Sequence, residues 1–247
     1  MSGVSERRRR PPSVTRPDRE TEHRSQERRV IPDSIPEFDG FPVTALDFYD
    51  DLELDNTKTF WAAHKHVYDA AVRAPMEALT AALADEFGQA KIFRPYRDVR
   101  FRKDKTPYKT HQGAVVHAGP GLGWYVQVSA PGVRVGAGLY HADPPDLARI
   151  RAAIDAEHSG RELERLLARL QRRGFERSGE QLKTSPRGWP ADHPRIALLR
   201  HKSLALGRSY GFEPVIHTAE LLDLVRADWR RLRPLVDWFA ERVDPLG

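Results

Sequence analysis

The stretch Trp124-Tyr125-Val126-Gln127-Val128-Ser129-Ala130-Pro131-Gly132-Val133-Arg134-Val135-Gly136-Ala137-Gly138-Leu139-Tyr140 decides the fold. Trp124, Val126 and Val128 alternate with Tyr125, Gln127 and Ser129. Beyond Pro131-Gly132, the residues Val133, Val135, Ala137 and Leu139 alternate with Arg134, Gly136, Gly138 and Tyr140. Successive strand side chains point to opposite faces, so this alternation predicts two half-buried strands. Pro131-Gly132 supplies the turn between them. Upstream, Gln112 to His117 is short and β-prone, and Gly119 to Gly123 offers a second turn. These spacers are too short for parallel crossovers, so the region reads as an antiparallel meander. Leu204 to Phe212 is read as one more strand. Gly136-Ala137-Gly138 is a small-residue step that signals a bulge or a close backbone approach rather than a phosphate loop.

Helices are predicted on both sides of the meander. Phe41 to Asp51 places Leu46 and Tyr49 at helical spacing, with Leu52 just beyond. Asn56, Thr57 or Thr59 caps a second helix carrying Phe60, Trp61, Val67 and Tyr68, and Pro75 kinks or restarts it. Asp143 caps a segment opening with Pro144-Pro145, and Arg161 to Arg173 forms a helix ended by Gly174. Ile196 to Leu199 is a helical turn. Thr218 opens a long amphipathic helix through Leu221, Val225, Trp229, Leu232, Val236 and Phe239, bent at Pro234. Helices flanking an antiparallel sheet define an α+β class, with one domain over residues 35–247.

Residues 1–34 differ from this body. They hold nine Arg against six acids and almost no apolar side chains, a composition that predicts a disordered tail. The tail's net +3, subtracted from the chain's +5, leaves +2 for the body. A near-neutral body ranks nucleic acid behind small anions as a partner. The chain has no cysteine, which excludes disulfides and thiolate metal sites and fits a cytoplasmic location. No apolar run reaches the roughly 20 residues of a membrane span, so no membrane partner is expected.

Chemistry concentrates in two segments. Phe93 to His111 carries seven cations (Arg94, Arg97, Arg100, Arg102, Lys103, Lys105 and Lys109) against Asp98 and Asp104. Alternation over Arg97 to Arg102 predicts a strand running into a turn at Lys103 to Pro107, where Asp104 suits an Asx turn. Arginines on one strand face suit a bound phosphate, sulfate or carboxylate. The competing reading is an ion-paired strand whose lysines guard an edge. The second segment, Lys183 to Pro194, offers Lys183, Arg187, Asp192 and His193 in one loop, or else a surface loop in which Asp192 caps the next helix. Metal signals are weak: His64 and His66 face different ways on a helix, and His111 and His117 lie roughly 20 Å apart along a strand.

Asn56 with Phe60-Trp61, Phe93-Arg94-x-x-Arg97-Asp98-Val99-Arg100-Phe101 and Lys103-Asp104-Lys105-Thr106-Pro107-Tyr108-Lys109-Thr110 resemble the domain-of-unknown-function family DUF2461 of bacteria and fungi. Gly138-Leu139-Tyr140, Pro144 with Leu147, Ile150-Arg151, Ile154, Leu182-Lys183, Pro186-Arg187-Gly188 and Asp192-His193-Pro194-Arg195 fit the same pattern. The resemblance runs from about Phe41 to Val243, with Arg102 where the family often has serine. It implies a soluble, cytoplasmic single domain, supplies no reaction, and pairs the basic block with the Lys183 to His193 loop.

The expected function is therefore an anion cleft in an enzyme acting on a phosphate- or sulfate-bearing small molecule, by hydrolysis, elimination or transfer. Arg94, Arg97, Arg100, Lys103, Lys105, Tyr108, Lys109, Lys183 and Arg187 would hold the anion. His193 or Tyr140 would move a proton, with Asp192 orienting. No cofactor is expected, since no dinucleotide or phosphate-loop motif and no carboxylate cluster for Mg²⁺ is present. A nucleotide or nucleic-acid module stacking bases on Tyr96, Tyr108 and Trp124 is the second expectation. A structural or adaptor protein is the third. The sequence leaves the oligomeric state open.

Overall fold

The computed structural model describes residues 37–100 and 103–243. The expected disordered tail, residues 1–34, lies outside them. Strands β1 (Ala90–Ile92), β2 (His111–Gly119), β3 (Leu122–Ser129), β4 (Gly132–Leu139), β5 (Glu176–Ser178) and β6 (Leu204–Gly211) build one antiparallel sheet. The spatial order is β1-β2-β3-β4-β6-β5. The α+β class and the meander of β2, β3 and β4 match the periodicity. In this order β6 separates β4 from β5, so the chain after β4 crosses to the far edge before it returns.

One expected strand is corrected. Arg97 to Arg100 has no strand structure, and Phe101 and Arg102 lie outside the described residues. Tyr96 makes only an isolated bridge to Tyr108. Pro95 and Pro107 remove ladder donors, and charged side chains outnumber the apolar ones, so no second ladder forms there. The edge is instead β1, three residues that carry no readable alternation. β5 is equally short and was equally unreadable.

Helix α1 (Val43–Leu54) meets α2 (Lys58–Val67) at Asn56, and the Thr57 hydroxyl accepts from the Phe60 amide at 3.2 Å. A π-helical stretch, Tyr68–Arg73, widens the turn just before Pro75 enters α3 (Ala74–Ala82). A widened turn relieves the clash between a proline ring and the carbonyl four residues back. α4 (Ala84–Phe87) leads into the sheet. After it come α5 (Pro144–Asp155), α6 (Glu157–Arg172), α7 (Ile196–Leu199) and α8 (Glu220–Ala240). Asp143 caps α5 through the Asp146 amide at 2.7 Å.

The core lies on one side of the sheet. Trp124, Val126, Val128, Val133, Val135, Ala137, Leu139, Leu204 and Leu206 are buried there. The buried face of α8 (Leu221, Val225, Trp229, Leu232 and Val236) belongs to the same cluster. Phe87 meets the rings of Trp124 and Trp229 edge-on at 5.3 and 5.1 Å, which suits their quadrupoles. The opposite parity presents Gly123, Tyr125, Arg134, Gly136, Gly138 and Gly207 to the other face. Neighbouring backbones approach closely there. A Cβ on Gly123 would stand 2.5 Å from the Val116 carbonyl oxygen, and one on Gly207 2.5 Å from that of Val135. These glycines leave the middle of this face without side chains. Gly123→Ala is expected to cost about 1–3 kcal/mol by overpacking, roughly 2–10 °C in Tm for a domain of this size. Gly136→Ala, whose Cβ would lie 3.0 Å from the Leu206 oxygen, is expected to shift Tm by less than half as much in the same melt.

Candidate functional site

The basic segment is held by its ends and by one asparagine. Phe93 donates its amide to Gly113 at 2.9 Å, Arg97 to Pro107 at 2.8 Å and Lys109 to Pro95 at 2.8 Å, folding the segment back on itself. The Asn56 side chain accepts from the Tyr108 amide at 3.0 Å and donates to its carbonyl at 3.1 Å. The Tyr108 ring stacks on Trp61 at 4.3 Å, nearly parallel. Residues 97–100 and 103–107 therefore extend from an anchored base.

Much of the positive charge on this projection has a partner inside it. Arg97 pairs with Asp104 at 2.6 Å and also donates to the Thr106 hydroxyl. Arg100 grips Asp98 with two nitrogens, at 3.0 and 2.6 Å. Lys105 donates to the Val99 carbonyl at 2.9 Å. Asp104 forms the expected Asx turn, accepting from the Thr106 amide at 2.9 Å and its hydroxyl at 2.8 Å. Those two bonds, then Arg97, hold its carboxyl down at about 2. Arg94 and Lys103 are exposed.

A notch of about 340 Å³ opens beside this turn, lined by Arg97, Asp98, Lys109, Thr110 and His111. The Lys109 ammonium donates to the Arg94 carbonyl at 2.9 Å and lies 5.2 Å from the centre of the Phe93 ring. Burial, then the Arg94 charge, lowers the Lys109 pKa. Burial also lowers the His111 pKa, followed by the charges of Lys109 and Arg97. Two basic groups are thus held where their own charge is disfavoured.

The hollow face of the sheet holds a larger groove, about 510 Å³. Its floor is Gly123, Gly136, Gly138 and Gly207, its walls include Phe93, Tyr125 and Tyr140, and Lys91 and Arg134 bring two cations. His117 Nδ1 and the Tyr140 hydroxyl share a hydrogen bond of 3.0 Å in the lining. Burial raises the Tyr140 pKa, and it raises that of Tyr125 to about 12. Both phenols are therefore neutral donors at neutral pH. Groove and notch adjoin, because Phe93 lines the groove and carries Lys109 over its ring. His111, Val115 and His117 share one strand parity, so all three face this side.

The Lys183 to His193 loop sits elsewhere. It follows β5, at the edge of the sheet opposite β1, so five strand spacings of about 4.8 Å separate the two segments along the sheet. No hydrogen bond or ion pair joins the segments among the described residues. His193 donates Nε2–H to Asp155 at 2.8 Å while its Nδ1 accepts from the Arg195 amide at 3.0 Å. Buried Arg195 pairs with Glu157 at 2.5 Å and Glu164 at 3.3 Å, locking the corner between α5 and α6. Asp192, Lys183 and Arg187 are exposed, and Asp192 does not cap α7, whose start has no side-chain cap.

Of the residues singled out in the sequence, Arg97 and Lys109 thus line the notch, Tyr140 lines the groove and Tyr108 is buried under the projection. Tyr108 and Trp124 are only 5% and 6% exposed, so of the three proposed stacking platforms only Tyr96, at 49%, offers a ring to solvent. Lys91, Arg134, His111 and His117 were missed as residues lining the groove or the notch. The two histidines were weighed only as metal ligands, although their shared parity with Gly113 and Val115 was readable. Among the described residues no group of three or more metal-ligating side chains comes together. None of their helices is long and apolar enough to cross a membrane.

Fold and site together define an α+β domain with an antiparallel sheet packed by helices on one side and hollowed into a cation-rimmed groove on the other. The chain belongs to the DUF2461 family of conserved hypothetical proteins, whose family model matches residues 44–238. Among the curated proteins none matches it. The matched span contains the anchor, the notch and the groove. Asn56→Ala is expected to cost about 1–3 kcal/mol, since it strands two backbone groups of Tyr108. It should also speed tryptic cleavage between Arg94 and Lys105. Unchanged melting and unchanged cleavage would show that Asn56 does not clamp the projection.

Proposed function

We propose that the hollow sheet face binds a small molecule bearing a phosphate, sulfate or carboxylate group. The anionic group sits in the notch against Arg97, Lys109 and His111, and the body lies in the adjoining groove. The observation that carries this reading is the pair Lys109 and His111. Burial and neighbouring positive charge act against both. A bound anion reverses that penalty, and the carboxylate that shares the notch, Asp98, is already gripped by Arg100. In its enzymatic form, the reading has the His117–Tyr140 pair moving a proton while the notch neutralises charge developing on the anion, in hydrolysis, elimination or transfer.

Sulfate is a suitable probe because it keeps its charge across the working pH range. The His111 pKa lies below its ordinary 6.5, so the unfolded chain takes up the proton first. Without ligand, this group's contribution to stability is present above pH 6.5 and is lost as pH falls toward the depressed folded pKa. Bound sulfate favours the protonated ring, so sulfate affinity should rise as pH falls through the same window. Calorimetric titration at several pH values checks this. Lys109→Ala should weaken sulfate about tenfold at every pH, the loss of one charge-assisted hydrogen bond. His111→Gln should flatten the pH dependence. If sulfate neither binds nor raises Tm at any pH, the reading fails.

A further inference from the structure

Resting on that reading, the groove also constrains the body of the ligand. Gly123 pairs with Gly138, and Gly136 pairs with Gly207, so glycines on β3, β4 and β6 lie side by side on the hollow face. Adjacent strands are about 4.8 Å apart and same-face residues about 7 Å apart, so the glycine patch extends roughly 10 Å by 7 Å. The four glycines run diagonally across it as bare backbone, with Tyr125 beside Gly136 and the small Ala205 beside Gly138 at its other corners. Phe93 and Tyr125 stand together at one side with ring centres 6.4 Å apart, and Tyr140 with His117 at another. Lys91 and Arg134 supply the charge, with no acidic residue in the lining.

We propose that the occupant is a flat aromatic or fused-ring compound carrying an acid group. A flat ring laid on peptide planes makes dispersion contact across its whole face, while a flexible chain gains less and gives up rotamer freedom to lie there. The aromatic walls meet ring edges in the tilted geometries that π systems prefer. The Tyr140 hydroxyl and His117 present hydrogen-bonding groups to a polar ring substituent, Arg97 and Lys109 complement the acid group in the notch, and Lys91 and Arg134 keep the groove itself positive. The glycines at 123 and 207 are required by backbone approach alone. At Gly136 an added Cβ lies 3.0 Å from the Leu206 carbonyl oxygen and 3.4 Å from the Gly207 Cα, so a methyl group there needs the backbone to yield by only a few tenths of an ångström and then stands on the floor.

Isothermal titration with three probes tests the assignment: naphthalene sulfonate, decane sulfonate and inorganic sulfate. The full chain should bind the ring sulfonate about tenfold more tightly than the alkyl sulfonate, the margin expected of a matched surface. Gly136→Ala should weaken the ring sulfonate about tenfold, leave the alkyl sulfonate within about twofold and leave sulfate unchanged. Tyr125→Leu, which removes a wall and leaves the floor intact, should also weaken the ring selectively. Its use keeps the test open if Gly136→Ala fails to fold, as its melting curve reports. Equal binding of ring and alkyl probes, or insensitivity of the ring to whichever variants fold, overturns the flat-ring assignment while the anion site stands. Binding of none of the three probes overturns the anion site as well. Chain dimerisation that excludes the ring sulfonate overturns the assignment too, since the face is then an interface.

Discussion

Backbone approach at the centre of the sheet sets the conditions for everything around it. Carbonyl oxygens of Val116 and Val135 occupy the space that side chains at Gly123 and Gly207 would need. On the other face Trp124, Val135 and Leu206 join the buried side of α8 in one core cluster. The glycines leave part of the groove floor without side chains, between walls that include Phe93, Tyr125 and Tyr140. Core and groove are thus opposite faces of the same strands β3, β4 and β6.

Charge on the neighbouring projection divides into two kinds. Arg97 with Asp104 and Arg100 with Asp98 build a turn; the second pair is exposed and the first half-exposed, and pairs open to water contribute little to stability. Asp104 illustrates this, since its low pKa owes more to Thr106 than to arginine. Lys109 and His111 are different. Lys109 meets a carbonyl and a phenyl face, and His111 meets burial and two positive neighbours. Groups held against their own charge mark functional sites more often than structural ones do. Asp98 shares the notch with them, and Arg100 already engages its carboxylate.

Local periodicity made the meander legible, because Val126 and Val135 declare their face by alternation. Thr57 and Asp143 were legible as caps for the same local reason, and Gly136-Ala137-Gly138 was correctly read as a place of close backbone approach. Three-residue edges such as β1 and β5 are too short to show a period, and the strand expected at Arg97 to Arg102 is absent over its described part, Arg97 to Arg100, where the alternation was charge spacing without a ladder. The pairing of the two basic segments failed differently. Nothing in either segment encodes that β6 inserts between β4 and β5, and that insertion sends the Lys183 to His193 loop to the opposite edge. Strand order is a nonlocal property, and the candidate site depended on it.

Two histidines show why residue type alone misleads about chemistry. His193 sits in a loop of the sort that often carries catalysis, yet both its nitrogens are committed, one to Asp155 and one to the Arg195 amide. Acting as a base there would require giving up the Arg195 amide or the Asp155 carboxylate. His117 was a weaker prospect in the sequence, a polar residue near a strand end. Its Nδ1 meets a hydroxyl that itself faces the groove, and its Nε2 has no hydrogen-bond partner among the described residues. His117 thus keeps one ring nitrogen unengaged while the other meets Tyr140 at the groove. Partners, not residue type, decide which imidazole has a nitrogen to spare, and strand parity sets that one beside the cavity.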